Sequence, residues 1–398
     1  VLDLETALAR LLESLPPLKA ESVRLGDSAG RFLAEKTVAP LDLPNFDNSA
    51  MDGYAVRAAD VRRASHTSPV TLKLAAKISA GELFTGELLV GKCARIFTGA
   101  PLPRGADAVV MQEDTRVEGG QALVLDAVAP GENVRRHAED VAKGDTLVDA
   151  GDEISPNKIA LLAATGIDRL IVGRRPHVAI VATGSELRQQ GETLLPGQIY
   201  ESNRAMLSPL ITRCGGELKV FPIVPDTLEA TRSALVEAFF AGEIVVTSGG
   251  ASVGEFDFVR AAFESLGGAL QFWKVSMRPG KPFVFGRLGE KLLFGLPGNP
   301  VSAFITFLLL VRPTILRWQG AKQVSLPTHA AILGETISNS GDRRHFMRVR
   351  TGVDGKIFSA GKQASHALSS LAAADGLLDV PPQTRFAPGD SVNVLRWL

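Results

Sequence analysis

Leu4, Ala7, Leu8, Leu11, Leu12 and Leu15 recur at three- and four-residue intervals, which predicts an amphipathic N-terminal helix stopped by Pro16-Pro17. A second helical start is expected near Asp27–Arg31, ahead of a Pro- and Asx-rich connector from Pro40 to Asn48. From Val56 to about Pro130 the apolar runs shorten (Val70–Leu74, Cys93–Phe97, Ala108–Met111, Ala122–Leu125) and are broken by Gly and Pro, the pattern of a β-rich inserted domain. Mixed character returns between Val134 and Gly166, where Pro156 opens a helix through Leu161 and Ala164.

From Pro176 the rhythm changes. His177–Ala182 is a short, wholly apolar strand ending in Thr183-Gly184, followed by a helix over Asn203–Arg213, a strand over Leu218–Val224, a helix over Thr227–Phe240 and a strand over Ile244–Thr247. A Gly-rich loop, a helix over Asp257–Leu266 and further strands through Phe294 complete the set. Such alternation predicts an α/β domain with a parallel sheet covered on both faces and ligands at the carboxyl ends of its strands. After Pro327 short strands return (Ala330–Leu333, Phe346–Arg350, Leu377–Val380, Ser391–Leu395), predicting a small C-terminal β domain.

The 398 residues exceed what one hydrophobic core holds, roughly 250–300, so two to four domains are expected. Lys plus Arg and Asp plus Glu both number 43, so there is no net field to gather nucleic acid or an anionic membrane, and an anionic ligand needs a local cluster. Two cysteines without a CxxC pair, Cys93 and Cys214, argue against disulfides or a thiolate zinc site and suit a reducing cytoplasm. Asp3, Glu5, Arg10 and Glu13 exclude a signal peptide over the first helix. The longest apolar run, Val301–Val311, falls short of the ~18 residues that span a bilayer and reads as a core helix. The six histidines are scattered without metal-ligand spacing.

Three motifs fall at the ends of strands. Thr247–Asp257 (TSGGASVGEFD) combines Gly249, Gly250 and Gly254, which let backbone N–H groups turn toward an anion, with the Ser252 hydroxyl, ahead of a helix start. The bland alternative is a tight turn capped by Asp257. Met277–Pro282 (MRPGKP) is a stiff loop in which Pro279 and Gly280 separate two cations, Arg278 and Lys281. Gly295–Pro300 (GLPGNP) is also a strand–turn–helix joint, with Asn299 as N-cap and Pro300 at the first helical position. Two further polar loops, Asn48–Ala55 (NSAMDGYA) and Phe97–Val110 (FTGAPLPRGADAVV), have no periodic explanation. Asp52, Asp140, Glu186, Asp226 and Asp257 sit at loop or strand-end positions. If they converge beside an anion loop they suit Mg²⁺, which takes one or two carboxylates with phosphate oxygens and water.

These five motifs, in this order, resemble the MoeA/gephyrin E-domain family, the molybdopterin molybdenumtransferases, and the resemblance runs from the N-terminal helix to Gln363–Pro381. It implies a homodimer of four-domain subunits with an active site between the α/β domain of one subunit and the insert of the other. The implied organisation is an N-terminal helix at 1–19 on the α/β domain, a connecting domain from 20–45 and 132–175, a β-rich insert at 46–131, a doubly wound catalytic domain of molybdopterin adenylyltransferase type at 176–321, and a C-terminal β domain at 322–398. The implied catalytic acids are Asp52, Asp140, Glu186, Asp226 and Asp257, with Glu186, Asp226 and Asp257 as Mg²⁺ ligands. The implied substrate contacts are Thr98, Gly249, Gly250, Ser252, Gly254, Arg278, Pro279, Gly280, Lys281, Pro297 and Asn299. Two departures are visible: Ser185 stands where the family turn TGDEL has an acid, and Arg278 where MKPGKP has Lys. Arg keeps the charge and adds a planar fork, so anion binding should survive. Ser185 removes one carboxylate from the metal's neighbourhood.

The implied reaction is insertion of molybdate into adenylated molybdopterin with Mg²⁺ and release of AMP, in the cytoplasm, downstream of the adenylyltransferase and without nucleic-acid or membrane partners. Arg278, with Ser252 or neighbouring N–H groups, is the expected molybdate pocket. The alternatives are the adenylylation step itself, distinguished by consumption of ATP, and a gephyrin-like scaffold, disfavoured by the lack of a Ser/Pro-rich linker.

Overall fold

The computed structural model describes residues 1–249 and 258–397. The N-terminal helix α1 spans Leu4–Glu13; the Asp3 carboxylate caps it by accepting the Thr6 N–H at 2.7 Å, and it buries Leu4, Ala7 and Leu11. The helix expected near Asp27–Arg31 is absent. Leu25–Asp27 forms one 3-10 turn, Ser28 Oγ donates to the Leu25 carbonyl at 2.7 Å, and Gly30 (φ +71°) turns the chain away.

The central sheet has six strands: β1 (His177–Thr183), β2 (Glu217–Val224), β3 (Ile244–Ser248), β4 (Ala269–Lys274), β5 (Pro282–Leu288) and β6 (Lys291–Leu296). Their order is β2-β1-β3-β6-β5-β4. The first four are parallel, but β5 and β4 pair antiparallel, which corrects the expectation of a parallel sheet throughout. Only Gly289 (φ +62°) and Glu290 separate β5 from β6, and so short a link can join only antiparallel neighbours.

Alternate strand residues face opposite ways, as the pleat requires. Val178, Ile180, Ile244, Val246, Leu292 and Phe294 pack against α1, helix α2 (Asn203–Arg213) and the helical stretch 300–318. Ala179, Val181, Val245 and Leu293 pack against α3 (Leu228–Ala241) and α4 (Phe258–Ser265). Both faces are therefore covered. The stretch Pro300–Trp318 is long and apolar enough to cross a membrane, yet 83% of its most apolar window is buried in the fold, as a core helix requires. Its middle, Phe307–Val311, widens into a π turn just before Pro313, which has no N–H to continue the regular ladder.

Three smaller units surround this layer. Strands 53–56, 70–78, 92–96, 108–111, 115–118 and 121–124 form a mostly antiparallel sheet with its own apolar clusters. Gly53 is forced there, because a Cβ would overlap the Val110 carbonyl of the next strand. Ala20–Arg24 pairs with Arg169–Gly173 over a core of Leu25, Leu33, Ile154, Leu162 and Val172, tying the chain before the insert to the chain after it. The last unit is a sheet of strands 328–332, 344–351, 376–380 and 391–395, joined at its edge by Met277–Arg278.

Candidate active site

The carboxyl ends of β1, β3 and β6 meet the start of α2 around a cleft of about 590 Å³. β3 runs out at Ser248 into Gly249, whose φ of +90° and proximity to the Thr183 carbonyl leave no room for a Cβ. After β6, Pro297-Gly298-Asn299 leads into the helix opened by Pro300. A Cβ at Gly298 would sit 3.8 Å from Gly249 Cα, so the two glycine loops lie side by side. Asn203 ties them together: its Nδ2 donates to Ser248 Oγ and to the Gly298 carbonyl, both at 2.7 Å. Asn299 stands at the N-cap position, but its side chain caps nothing and borders the cleft instead. Leu187, Ile199 and Tyr200 give one wall an apolar surface, and His366 reaches in from the C-terminal unit.

Glu186 is exposed and borders this cleft. Asp226 sits in the turn after β2, where Asp226 Oδ2 accepts the Ser185 N–H and the Asp226 N–H donates to Ser185 Oγ, both at 3.0 Å. The serine that departs from the family turn thus fastens two neighbouring strand-end turns, bringing Asp226 beside the turn that carries Glu186. Among the described residues no three His, Cys, Asp or Glu side chains converge tightly enough to hold a metal ion by themselves. Gly250, Ser252, Gly254 and Asp257 lie outside the described residues.

The cationic loop lies at the same end of the sheet, between β4 and β5. Met277–Arg278 pairs in parallel with Arg344–His345 of the C-terminal sheet. Pro279 and Gly280 are buried, Gly280 (φ +109°) lying against the Thr306 methyl, and Lys281 is exposed just ahead of β5. Arg278 borders a second cavity of about 280 Å³ together with Ser338, Asn339, His345 and Gln363. His345 is 2% exposed, and neither ring nitrogen has a partner among the described residues. Burial first, then Arg278, Arg348 and Arg343, push its pKa down to about 4, so it is a neutral imidazole among cations. Arg348 is fully buried, with Nε on Ser370 Oγ at 3.0 Å and Nη2 on the Lys362 carbonyl at 2.7 Å; burial lowers its pKa to about 10.

Asp52 and Thr98 meet at one end of the insert's sheet. Asp52 Oδ1 accepts the Thr98 N–H at 2.8 Å and its hydroxyl at 2.7 Å. These bonds, backbone first, hold the carboxyl below the usual carboxylate range, and the charge of Arg95 adds to them. The Arg95 guanidinium lies 5.1 Å from both the Tyr54 and Phe97 ring centroids. Asp140 is exposed, its backbone N–H on the Leu43 carbonyl at 3.1 Å. Asp52, Thr98 and Asp140 do not border the cleft at the sheet ends of their own chain. The residues that sequence reasoning missed are Thr183, Asn203 and Ser248 in the first cavity and His345 in the second. The apolar strand ending at Thr183, the helix start at Asn203 and the Gly-rich motif that holds Ser248 offered local signals; His345 had none.

Three successive stretches of the chain match known families. Residues 2–166 match the MoeA N-terminal region (domain I and II), 179–317 a probable molybdopterin binding domain, and 330–397 the MoeA C-terminal region (domain IV). The chain is 39% identical to a molybdopterin molybdenumtransferase of Haemophilus influenzae over 93% of its length and 92% of the relative's. With a Bacillus subtilis protein of the same name it shares 35% identity over 99% of this chain and 94% of that one. The crystal structure of a molybdopterin biosynthesis MoeA protein from Pyrococcus horikoshii OT3 superposes with a TM-score of 0.86 at 32% identity, covering all of both chains.

Proposed function

The chain belongs to the molybdopterin molybdenumtransferase family and is an enzyme of molybdenum cofactor biosynthesis; from that premise we propose that it takes adenylated molybdopterin and molybdate and releases AMP. The observation that carries this reading is the cleft where the glycine loops after β3 and β6 lie together against an apolar wall. Gly249 and its successors Gly250, Ser252 and Gly254, with Lys281, hold phosphate oxygens, each charge-assisted bond worth roughly 1.5–3 kcal/mol. Pro297 and Asn299 line the approach. Pro279 and Gly280 keep the cationic loop stiff.

The donor set suits Mg²⁺ bound jointly with a substrate pyrophosphate, since two strand-end acids, Asp226 and Glu186, occupy adjoining turns and such an ion takes few protein carboxylates. Glu186, Asp226 and Asp257 would hold it, and when bound it withdraws charge from the phosphoanhydride. Arg278 is the cation assigned to molybdate. The cavity it borders, with neutral His345 and several hydroxyl and amide groups, supports that assignment. The chain's own contribution is to fix both reactants in one orientation.

The reading extends to a homodimer in which the partner brings Asp52 and Thr98 of its insert, and Asp140 of its connecting domain, to this cleft. In support, these three do not border it within one chain. The unit boundaries at 1–19, 20–45 with 132–175, 46–131, 176–321 and 322–398 belong to the same proposal, as do a cytoplasmic setting and supply by a molybdopterin adenylyltransferase. The decisive experiment mixes the protein with adenylated molybdopterin, Mg²⁺ and molybdate and follows AMP. Release that requires molybdate supports the reading, whereas ATP consumption with molybdopterin in its place would point to adenylylation. Asp257→Ala should abolish release with the fold intact, and Lys281→Ala should weaken substrate binding measured by calorimetry.

A further inference from the structure

Asn203 opens α2 at the cleft and is 7% exposed. Both of its amide protons are committed, one to Ser248 Oγ and one to the Gly298 carbonyl. A carbonyl can only accept, so the Gly298 contact fixes which end of the amide is nitrogen. Oδ1 is therefore the other end, buried and without a donor among the described residues. Thr183, 5% exposed on the same cleft, also has an unpartnered Oγ1. A buried acceptor left without a donor is costly, and folded proteins tolerate it chiefly where a ligand or water completes it. Asn203 and Thr183 both line a space whose apolar wall of Leu187, Ile199 and Tyr200 suits the face of a flat ring.

We infer that Asn203 Oδ1 accepts an N–H from an amino-substituted heterocycle of the substrate, the pterin or the adenine, and so determines specificity for that amine. The inference rests on the cleft being the site for adenylated molybdopterin. A neutral amide oxygen with both its amide protons spent cannot turn to offer a donor, so an oxo group or a bare ring carbon at that position leaves it unsatisfied. The Thr183 hydroxyl, able to donate or accept, is free to serve a neighbouring ring atom.

The test compares paired ligands on one protein preparation: 6-methylpterin with 6-methyllumazine, and AMP with its 6-deamino purine counterpart, by fluorescence and calorimetry. The wild type should favour the amine in one pair by about tenfold. Asn203→Ala should bring that ratio to about one, while Asn203→Asp, which keeps an acceptor oxygen, should preserve it. A purely structural role would weaken both members of a pair equally. The ratio is independent of any unfolded fraction, and Asn203→Ser carries the same expectation should the alanine variant not fold. Loss in the pterin pair assigns the pterin to Asn203, and loss in the nucleotide pair assigns the adenine. A wild type without preference in either pair, or a ratio unchanged in both Asn203→Ala and Asn203→Ser, overturns the inference. AMP release is scored separately: turnover with an unchanged ratio removes only Asn203, whereas an absent turnover with a ratio that collapses in Asn203→Ala removes the reaction and keeps the contact.

Discussion

His345 is held neutral inside a ring of arginines, and that has a measurable consequence. An unfolded histidine takes its proton near pH 6.5, whereas this one waits until about pH 4. Between those values the unfolded chain binds a proton that the folded chain refuses, so stability should fall as pH drops from 6.5 to 4 and level off below. The loss should reach about 3 kcal/mol. Urea titrations of wild type and His345→Gln at pH 7 and pH 4.5 should show a smaller pH loss in the variant; equal losses would contradict this account. At Asp52 the fold favours the charged form instead: Thr98 lowers its pKa, so Thr98→Val should move the acid limb of the kcat/KM profile to higher pH. Neither His345 nor Asn203 was legible in the sequence. The partners that give them meaning, Arg278 for one and Ser248 and Gly298 for the other, come from remote stretches of chain. Asp52 and Gly249 could be singled out in the sequence because each sits in a local motif, an Asp-Gly turn and a glycine pair after an apolar strand.

The strands and helices around the cleft were readable to within a residue or two because burial on both faces writes itself as unbroken apolar runs, as in His177–Thr183 and Ile244–Ser248. What escaped was direction. The two-residue link at Gly289-Glu290 reverses β5 and sets an antiparallel edge, yet in the sequence it looks like any polar turn. The short segment at Asp27–Arg31 failed differently, because Ser28 bonds the backbone it was expected to extend. Gly53 offers a direct test of how tightly the insert's strands are held. Gly53→Ala sets a methyl against the Val110 carbonyl, so the insert should lose about 3 kcal/mol, seen as a lowered melting temperature. An unchanged melting temperature would mean that the strands can part at little cost.

The proposed dimer divides one site between two chains, which predicts complementation. Asp52→Ala and Asp257→Ala should each be inactive alone, and after unfolding and refolding together they should recover about a quarter of wild-type activity, since half the dimers are mixed and each mixed dimer keeps one intact site. No recovery would place both acids on the same side. The C-terminal unit has an apolar cluster of its own, yet it is not a detachable appendage: its Phe346 and Leu377 belong to the central core. The pairing of Met277–Arg278 with Arg344–His345 ties it in further. The stiff turn that presents Arg278 and Lys281 is anchored at one margin to a strand whose paired residues lie 67 positions downstream. A ribosome must have synthesised the chain past His345 before that turn acquires its final setting, and a chimera that exchanges either lobe must bring the other with it.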